Sequence, residues 1–233
     1  MQISLNTTKI SDIVRRMETI MKGERADGTH VSELLQCIRK SYARRHDMVM
    51  PLGPTETLLF ATGRAIQDYI TASPAVDAER PITVDGVHGT PDYHDEDDLI
   101  WEIKATYASA ARDVLDTPHY FDQLASYCAM EGKTKAYLAV FYINGYYNFQ
   151  RKTPHPNSQP HERSVLKVFE VQFEPEELMD AWSRALRRRD ILENATSFES
   201  IPVELHYTWE CDYCPLYKDV CEGGPGQYRN HWV

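Results

Sequence analysis

Hydrophobic and polar positions follow two different periods along this chain, and the change of period separates helical from strand regions. A helical period predicts helices over residues 8–22, 31–46 and 56–70. Ser32 is the expected N-cap of the second helix. The third helix is expected to turn four apolar side chains toward the interior: Leu59, Ala65, Ile66 and Tyr69.

From Pro81 onward the spacing favours strands. Ile82, Val84 and Val87 indicate one strand, the polar run HDEDD a turn, and LIWEIKA a second strand, so a hairpin is the simplest interpretation. The remaining pattern predicts a helix, two strands and a last long helix, over residues 118–130, 136–143, 164–173 and 176–189. Residues 150–163, rich in Pro, His, Asn and Gln, are typical of a loop.

The LIWEIKA strand has two faces, because alternate residues of a strand point in opposite directions. Glu102 and Lys104 share one face with Ile100. The opposite face, which we expect to be the buried one, carries three apolar residues: Leu99, Trp101 and Ile103.

Charge limits the partners that this chain can bind. Its 233 residues carry a formal net charge of −10, which argues against a generally basic surface for nucleic acid and leaves only a local site. Two basic clusters, each equally typical of a solvated helix face, are formed by Arg39, Lys40, Arg44 and Arg45 and by Arg184, Arg187, Arg188 and Arg189.

The apolar runs of the sequence are short. None approaches the roughly 20 residues that cross a bilayer, and MQISLNTTK lacks the charged start and apolar stretch of a secretory signal. We therefore expect a cytoplasmic protein without membrane association.

A carboxylate pair and a lysine are the candidate chemistry. The predicted hairpin folds Asp92, in GTPDY, back toward Glu102 and Lys104. Converging carboxylates repel unless a cation lies between them, and hard oxygen ligands suit Mg²⁺ or Mn²⁺. A neighbouring lysine can orient or help deprotonate the attacking water and offset transition-state charge in phosphodiester hydrolysis. Without further context, a surface ion pair would explain these residues equally well.

The context comes from the following helix, where Gln123 and Tyr127 are four residues apart and so share a face. In order, the chain presents G-x-x-D, E-x-K and Q-x-x-x-Y. This arrangement resembles the RecB-type nucleases of the PD-(D/E)xK superfamily over the stretch from Glu56 to Tyr127.

The resemblance implies a restriction-endonuclease-like α/β core, with a central mixed sheet flanked by helices. It further implies one or two divalent ions held by Asp92, Glu102 and the carbonyl of Ile103, and a DNA strand positioned by Gln123 and Tyr127. The chain departs from the family where a histidine ligand is common in G-x-x-x-H. GRAIQ places Gln67 there, as a weaker, neutral candidate ligand.

Glu56 lies eleven residues before Gln67, nearly three helical turns away, so it could share the face of Gln67 and compensate for the missing histidine. The alternative is an acidic first-turn residue that is favoured by the helix dipole.

Three of the five cysteines lie in the tail CDYCPLYKDVC, as Cys211, Cys214 and Cys221. A segment with so little apolar material indicates a metal site, since disulfides are rare in the cytoplasm. The spacing fits zinc or a 4Fe-4S cluster, and the fourth ligand could be Cys37 or Cys128.

The four-cysteine pattern resembles the CRISPR-associated iron-sulfur exonucleases of the fourth Cas family, in which one N-terminal cysteine joins three near the C-terminus. That resemblance implies Cys37 as the fourth ligand and a structural 4Fe-4S cluster, with zinc as the fallback. The cluster would lie in a small helical region built from the N- and C-terminal segments. Cys128 is then expected to be a buried apolar thiol.

Together these features predict a helical segment over 1–50, a nuclease core over 51–190 and a cysteine-rich tail over 191–233. The expected function is a Mg- or Mn-dependent exonuclease on DNA, most simply single-stranded, that processes DNA for CRISPR spacer acquisition or for phage or host recombination. CRISPR integrase proteins are candidate partners, and a homo-oligomer is an alternative way to concentrate the arginines. The rival hypotheses are a scaffold that has lost turnover and a PD-(D/E)xK endonuclease.

Overall fold

The computed structural model describes most of the chain between residues 27 and 202. The described residues are Met17, 27–48, 54–72, 77–148, 153–154, 164–202, Tyr207, 210–211, Cys214, Leu216 and Cys221. The helix predicted over 8–22 and most of the loop predicted over 150–163 lie outside them.

Short strands and longer helices follow one another in the described part of the chain. In chain order the strands are β1 Thr29–His30, β2 Asp77–Ala78, β3 Ile82–Val84, β4 Val87–Gly89, β5 Tyr93–His94, β6 Ile100–Thr106, β7 Lys135–Tyr142, β8 Tyr147–Asn148, β9 Thr153–Pro154 and β10 Val165–Gln172. The helices are α1 Val31–Leu34, α2 Ile38–Arg45, α3 Pro54–Thr71, α4 Pro118–Glu131 and α5 Pro175–Glu193, with a 3-10 turn at Val114–Asp116 before α4.

The central sheet is mixed. Its strand order is β10-β7-β6-β5-β2, with β6 parallel to β7 and the other pairs antiparallel. A smaller sheet has the order β1-β4-β3, and β8 pairs with β9. The predicted mixed α/β class is therefore confirmed.

The predicted hairpin is correct for its second strand and wrong for its first. Strand β6 pairs with β5 across the HDEDD turn, whereas the run from Ile82 to Val87 is two strands in the smaller sheet. These two strands are joined by Asp85 and Gly86, whose φ angles are 49° and 75°. Positive φ at both central residues is typical of a tight hairpin turn, so the Asp-Gly pair ends β3.

The helix predicted over 31–46 is broken. Helix α1 ends at Leu34, and Cys37 becomes the N-cap of α2 with extended backbone angles, φ −53° and ψ 121°. Helix α1 also begins at Val31, two residues earlier than the predicted cap at Ser32 allows. The side chain of Glu33 accepts a hydrogen bond from the backbone N–H of His30 at 2.9 Å, so His30 is the N-cap.

The hydrophobic core lies on the side of the sheet that faces α4 and α5. Ile100, Leu138 and Val140 of the sheet are fully buried there with Leu124 of α4. The predicted buried face of β6 is therefore correct in part: Ile103 is buried and Trp101 packs beside it, but Ile100, on the opposite face, belongs to the larger core. Ile103 belongs to a smaller cluster on the other face, with Tyr93 and Ala139.

Helix α3 lies over that smaller cluster, where Ile70 packs against it and Gly63 faces Ala105 of β6. The predicted inward stripe of α3 is therefore wrong. Leu59 and Ala65 are exposed, and Tyr69 is 87% exposed. The side of α3 that meets the sheet includes Gly63, Gln67 and Ile70. Most of its large apolar side chains therefore do not determine how the helix is oriented.

The remaining predicted elements are confirmed. Helix α4 and strands β7 and β10 agree with their predicted ranges within two residues, and α5 continues four residues beyond the predicted end at Arg189. Within the described part of the chain, no helix is long and apolar enough to cross a membrane.

Two leucines on neighbouring strands test the assignment of the core. Leu138 of β7 is 0% exposed and Leu166 of β10 is 54% exposed. We expect Leu138→Ala to lower the free energy of unfolding by about 2–5 kcal/mol, because it leaves a cavity. Leu166→Ala, the matched control, should change it by less than about 1 kcal/mol. Urea unfolding of both variants makes the comparison, and equal losses would refute this assignment of the core.

Candidate active site

The pairing of β5 with β6 places two carboxylates side by side. Tyr93 pairs with Trp101, and continuation of this register puts Asp92 opposite Glu102. Asp92 Oδ2 accepts a hydrogen bond from the backbone N–H of Ile103 at 2.5 Å. Both carboxylates are buried. The convergence predicted from the sequence is confirmed, although strand β5, which follows Asp92, is only two residues long.

A chain of hydrogen bonds runs from Glu102 to helix α4. Lys104 Nζ donates to Glu102 Oε1 at 2.6 Å and to Gln123 Oε1 at 2.8 Å. Gln123 Nε2 donates to the hydroxyl of Tyr127 at 3.0 Å. The four residues of the E-x-K and Q-x-x-x-Y motifs therefore form one connected site.

Burial and mutual repulsion control the charge of this site. Burial raises the pKa of Asp92 well above its usual range, Glu102 raises it further, and Lys104 opposes the shift. Burial also raises the pKa of Glu102, against the effect of Lys104. A folded-state pKa that is raised in this way contributes stability at acidic pH, and this contribution is lost as pH rises through that pKa. A cation between the carboxylates would oppose the loss.

Burial by itself would lower the pKa of Lys104, but Glu102 and Asp92 outweigh it and the pKa is raised. Lys104 is therefore protonated at neutral pH. It is a hydrogen-bond donor and a source of positive charge, not a base.

The acidic groups fit a hard cation. Glu102 Oε2 is buried and has no hydrogen-bond partner among the described residues. Buried polar atoms are normally paired, so this oxygen is suited to bind a cation. Across the described part of the chain, no group of three or more His, Cys, Asp or Glu residues converges on one point. The chain thus offers two carboxylates, so water, substrate and backbone oxygens would complete the shell, as is usual for Mg²⁺.

Gln67 reaches the site from α3. Its Nε2 donates to Asp92 Oδ1 at 2.6 Å, so in this arrangement the amide orients the carboxylate. Its role as a metal ligand stays a prediction, as does that of the Ile103 carbonyl. The side chain of Glu56 lies outside the described residues.

Tyr120 is a site residue that the sequence reasoning missed. The ammonium of Lys104 lies 5.7 Å from the centroid of its ring. Burial raises the pKa of Tyr120, while Lys104 and a hydrogen bond with Thr106 oppose the shift. Tyr120, Gln123 and Tyr127 follow an i, i+3, i+7 spacing along α4, which was the available signal.

The four cysteines predicted to bind a cluster lie in one region. Burial raises the pKa of Cys211 to about 11, and the remaining contributions to this shift include Cys37, Cys214 and Cys221. The thiols are therefore neighbours, but they do not converge on a common centre. Cys128 is fully buried in the main core, and burial raises its pKa to about 12, as expected for an apolar thiol.

The basic clusters predicted from the sequence make internal contacts. Arg39 donates to the carbonyl of Ile201 at 2.9 Å, and Arg184 pairs with Asp122 at 3.2 Å. Arg188 is buried. These arginines connect helices to one another and to the segment after α5. Contacts within the protein therefore explain these three basic side chains, and a nucleic-acid partner is not needed to explain them.

Comparison with known proteins supports the fold. No family model matches the chain, and no curated protein matches it. The crystal structure of the protein SSO0001 aligns over 91% of this chain and 94% of its own, with a TM-score of 0.54 and 16% identity. At that identity the likeness extends to the fold alone.

Two further structures align with lower scores. An alkaline exonuclease, LHK-Exo from Laribacter hongkongensis, aligns over 71% of this chain and 88% of its own, with a TM-score of 0.42 and 14% identity. A phage-related exonuclease from Haemophilus somnus 129PT aligns over 83% and 86%, with a TM-score of 0.36 and 12% identity.

Binding of Mn²⁺ tests whether the carboxylates form a cation site. We expect added Mn²⁺ to raise the melting temperature of the wild type, because a ligand that binds the folded state stabilises it. Glu102→Gln should lose most of this rise, whereas Asp97→Asn, which removes one charge from the exposed HDEDD turn, should keep it. Calorimetry or thermal CD gives the values. An equal rise in all three proteins would mean that the cation binds elsewhere.

Proposed function

We propose that this protein is a metal-dependent nuclease of the PD-(D/E)xK type that hydrolyses phosphodiester bonds in DNA. The observation that carries the proposal is the buried pair of Asp92 and Glu102, with Lys104 bonded to one of them and held from the other side by Gln123. A surface ion pair does not account for a second Glu102 oxygen that is buried without a partner among the described residues.

Asp92, Glu102 and the Ile103 carbonyl would hold Mg²⁺ or Mn²⁺, and Gln67 is a further candidate ligand. The ion, when bound, supplies a Lewis acid for the phosphate and lowers the pKa of a coordinated water. Protonated Lys104 offsets the charge that develops on the phosphate oxygens and orients the attacking water. Its contact with Gln123 holds the ammonium beside Glu102, which supports this role.

Helix α4 contributes the substrate-positioning side. Gln123 and Tyr127 hold each other at 3.0 Å, and Tyr120 lies against Lys104. Tyr127 is 4% exposed and packs in the main core, so it supports Gln123 from within the protein. The half-buried Gln123 amide and Tyr120 phenol are the groups on this face that are suited to hydrogen bonds with a nucleic-acid backbone and to stacking on a base.

The finer assignment rests on the resemblance to the fourth Cas family. We propose digestion of single-stranded DNA from an end, in the cytoplasm, in CRISPR spacer acquisition beside the integrase proteins or in phage or host recombination. We also propose that Cys37, Cys211, Cys214 and Cys221 bind a 4Fe-4S cluster, with zinc as the alternative. This part of the proposal rests on the resemblance, because the four thiols do not form a metal-holding group among the described residues.

One observation favours a second candidate function. Gln67 occupies the position at which related nucleases commonly carry a histidine ligand, and its amide nitrogen donates to Asp92. A weaker metal site would suit a DNA-binding scaffold without turnover.

End-labelled single-stranded DNA distinguishes the two functions. With Mg²⁺ or Mn²⁺, the wild type and Asp97→Ala should degrade the DNA, and Glu102→Ala should be slower by at least about 100-fold, because it removes a preorganised electrostatic group. The label that is released first gives the polarity, and a circular strand of the same sequence detects endonuclease cleavage.

Each outcome of this assay has one meaning. Cleavage of the circle at the rate of the linear strand replaces the exonuclease with an endonuclease. No cleavage by the wild type, with Mn²⁺ bound and the fold intact, supports the scaffold. Cleavage that is unaffected by Glu102→Ala refutes the assigned site.

The cysteine site has a separate test. Cys214→Ser should lower both the iron or zinc content and the melting temperature, because bound metal stabilises the folded chain. Cys128→Ala is the control, since it should lower stability through a core cavity and keep the full metal content. Metal analysis of anaerobically purified protein measures both. Unchanged metal in Cys214→Ser would remove this thiol from the ligand set.

A further inference from the structure

A network of charged side chains lies at the C-terminal end of helix α4. Its centre is Glu131, the last residue of that helix, whose side chain is 9% exposed. The Glu131 carboxylate takes no part in the bonds that join Glu102, Lys104 and Gln123. The proposed hydrolysis therefore does not explain why a charged group is largely buried here.

Glu131 binds three side chains from three parts of the chain. Its Oε1 accepts a hydrogen bond from Nε2 of His94, in β5, at 2.9 Å. Arg80 Nη2 lies 3.3 Å from each carboxylate oxygen, and Lys133 Nζ lies 2.7 Å from Oε2. Burial by itself would raise the pKa of Glu131, but Lys133, His94 and Arg80 outweigh it and the pKa is lowered. The carboxylate is therefore ionised at neutral pH, which strengthens its hydrogen bonds.

The bond to His94 connects this network to the candidate active site. His94 is 1% exposed and its Nδ1 has no partner among the described residues, so the contact with Glu131 sets the orientation of the ring. Strand β5 consists of Tyr93 and His94 alone and follows Asp92 directly. So short a strand is weakly held by its own backbone pairing. The contact with Glu131 therefore helps to fix the backbone that carries Asp92.

Arg80 reaches the same carboxylate from the other side of β5. The backbone N–H of Glu79, the residue before it, donates to the carbonyl of Asp92 at 3.0 Å. Strand β2, in the same segment, pairs with β5. The contact between Arg80 and Glu131 therefore holds the segment that covers the outer edge of β5. Glu131 thus holds β5 directly through His94 and indirectly through Arg80.

An outer layer of the network faces water. Asp98, whose side chain is 61% exposed, pairs with Arg80 at 3.0 Å and with Lys133 at 2.8 Å. Arg80 also pairs with Asp77 at 3.4 Å. Ion pairs that are exposed to solvent contribute little, so the shielded contacts of Glu131 are the ones that matter for the position of β5.

We propose that Glu131 is a positioning residue that anchors β5 through His94 and Arg80, and so holds Asp92 where it can share a divalent cation with Glu102. Asp92 needs such an anchor, because the neighbouring Glu102 repels it when both are ionised. A ligand that is held in place loses less entropy when the ion binds. The inference rests on the proposed cation site and adds the residue that keeps it assembled.

The Mn²⁺ affinity of the full chain tests this role. Titration calorimetry gives the dissociation constants of the wild type, Glu131→Ala and Glu131→Gln, well below their melting temperatures. Glu131→Ala should bind Mn²⁺ at least about tenfold more weakly, as is common when a residue that supports a metal ligand is removed. The glutamine keeps a carbonyl oxygen that accepts from His94 Nε2, so its affinity should stay within about threefold of the wild type.

Two control variants separate positioning from charge and from stability. Asp98→Asn also removes one negative charge from the network but leaves the contact of Glu131 with His94, so the Mn²⁺ affinity should change by less than about twofold. Leu178→Ala removes a buried side chain of α5 from the main core. It should lower the melting temperature by opening a cavity and leave the Mn²⁺ affinity unchanged.

Arg80→Ala provides a second test if Glu131→Ala does not fold. The side chain of Arg80 is 36% exposed, so its removal leaves the core intact. It frees the segment that covers β5 from α4 and should weaken Mn²⁺ binding at least about threefold. Unchanged affinity in Arg80→Ala would contradict the proposed anchor.

The outcomes distinguish this inference from the site on which it rests. Mn²⁺ binding by Glu102→Gln that equals the wild type overturns both the cation site and the role of Glu131. Binding that is lost in Glu102→Gln but kept in Glu131→Ala leaves the cation site standing and overturns the positioning role. Equal weakening in Leu178→Ala would reduce the effect to stability and also overturn that role.

Discussion

The hydrogen bond from the Ile103 amide to Asp92 is the contact on which the candidate active site depends. It closes the two-residue strand β5 onto β6 and places one buried carboxylate beside another. Two buried negative charges would drive each other apart or take up protons, and burial, followed by the charge of Glu102, raises the pKa of Asp92 well above its usual range. The positive charge of Lys104 offsets only part of this effect. The rest of the site can be understood as a set of groups that keep this unfavourable pair in place.

Those groups come from both sides of the central sheet. Gln67 approaches Asp92 from α3 on one side, while Gln123 and Tyr127 extend from α4, whose other residues are part of the main core. Helix α4 is therefore both a core element and a wall of the site. Helix α3 contributes little apolar burial, which leaves the Gln67 side of the site less firmly supported than the Gln123 side.

The sequence predicted most elements whose pattern is set by packing. Helices α4 and α5 and strands β7 and β10 bury regular apolar stripes, so their period identifies them. The failures have local causes. In helix α3 the large apolar side chains of Leu59 and Tyr69 are exposed. The helical spacing of these residues therefore predicted the wrong buried face. The break between helices α1 and α2 is held by Arg188 and Glu210, which are more than 150 residues from Cys37 in the sequence. The local sequence pattern therefore does not predict it.

The site residues were predictable because their motifs fall on one strand and one helix with fixed periods. Glu102 and Lys104 must share a face, as must Gln123 and Tyr127. Tyr120 was missed because a tyrosine one turn before Gln123 is equally typical of a core position. The partners of each cysteine depend on tertiary contacts, which spacing along the chain does not contain.

Two hydrogen bonds near Cys37 also constrain the order in which the molecule can form. One runs from Arg188 to the carbonyl of Leu34 and one from the Cys37 amide to Glu210, and they join residues 154 and 173 positions apart, among the longest closures in the described chain. During synthesis, Cys37 leaves the ribosome long before Arg188 and Glu210 exist, so its backbone stays unfixed while the sheet assembles. Contacts of such sequence separation close late, because the entropy of the intervening chain must be lost first. We therefore expect the region around Cys37 to be completed at the end of folding, around a central sheet that has already formed.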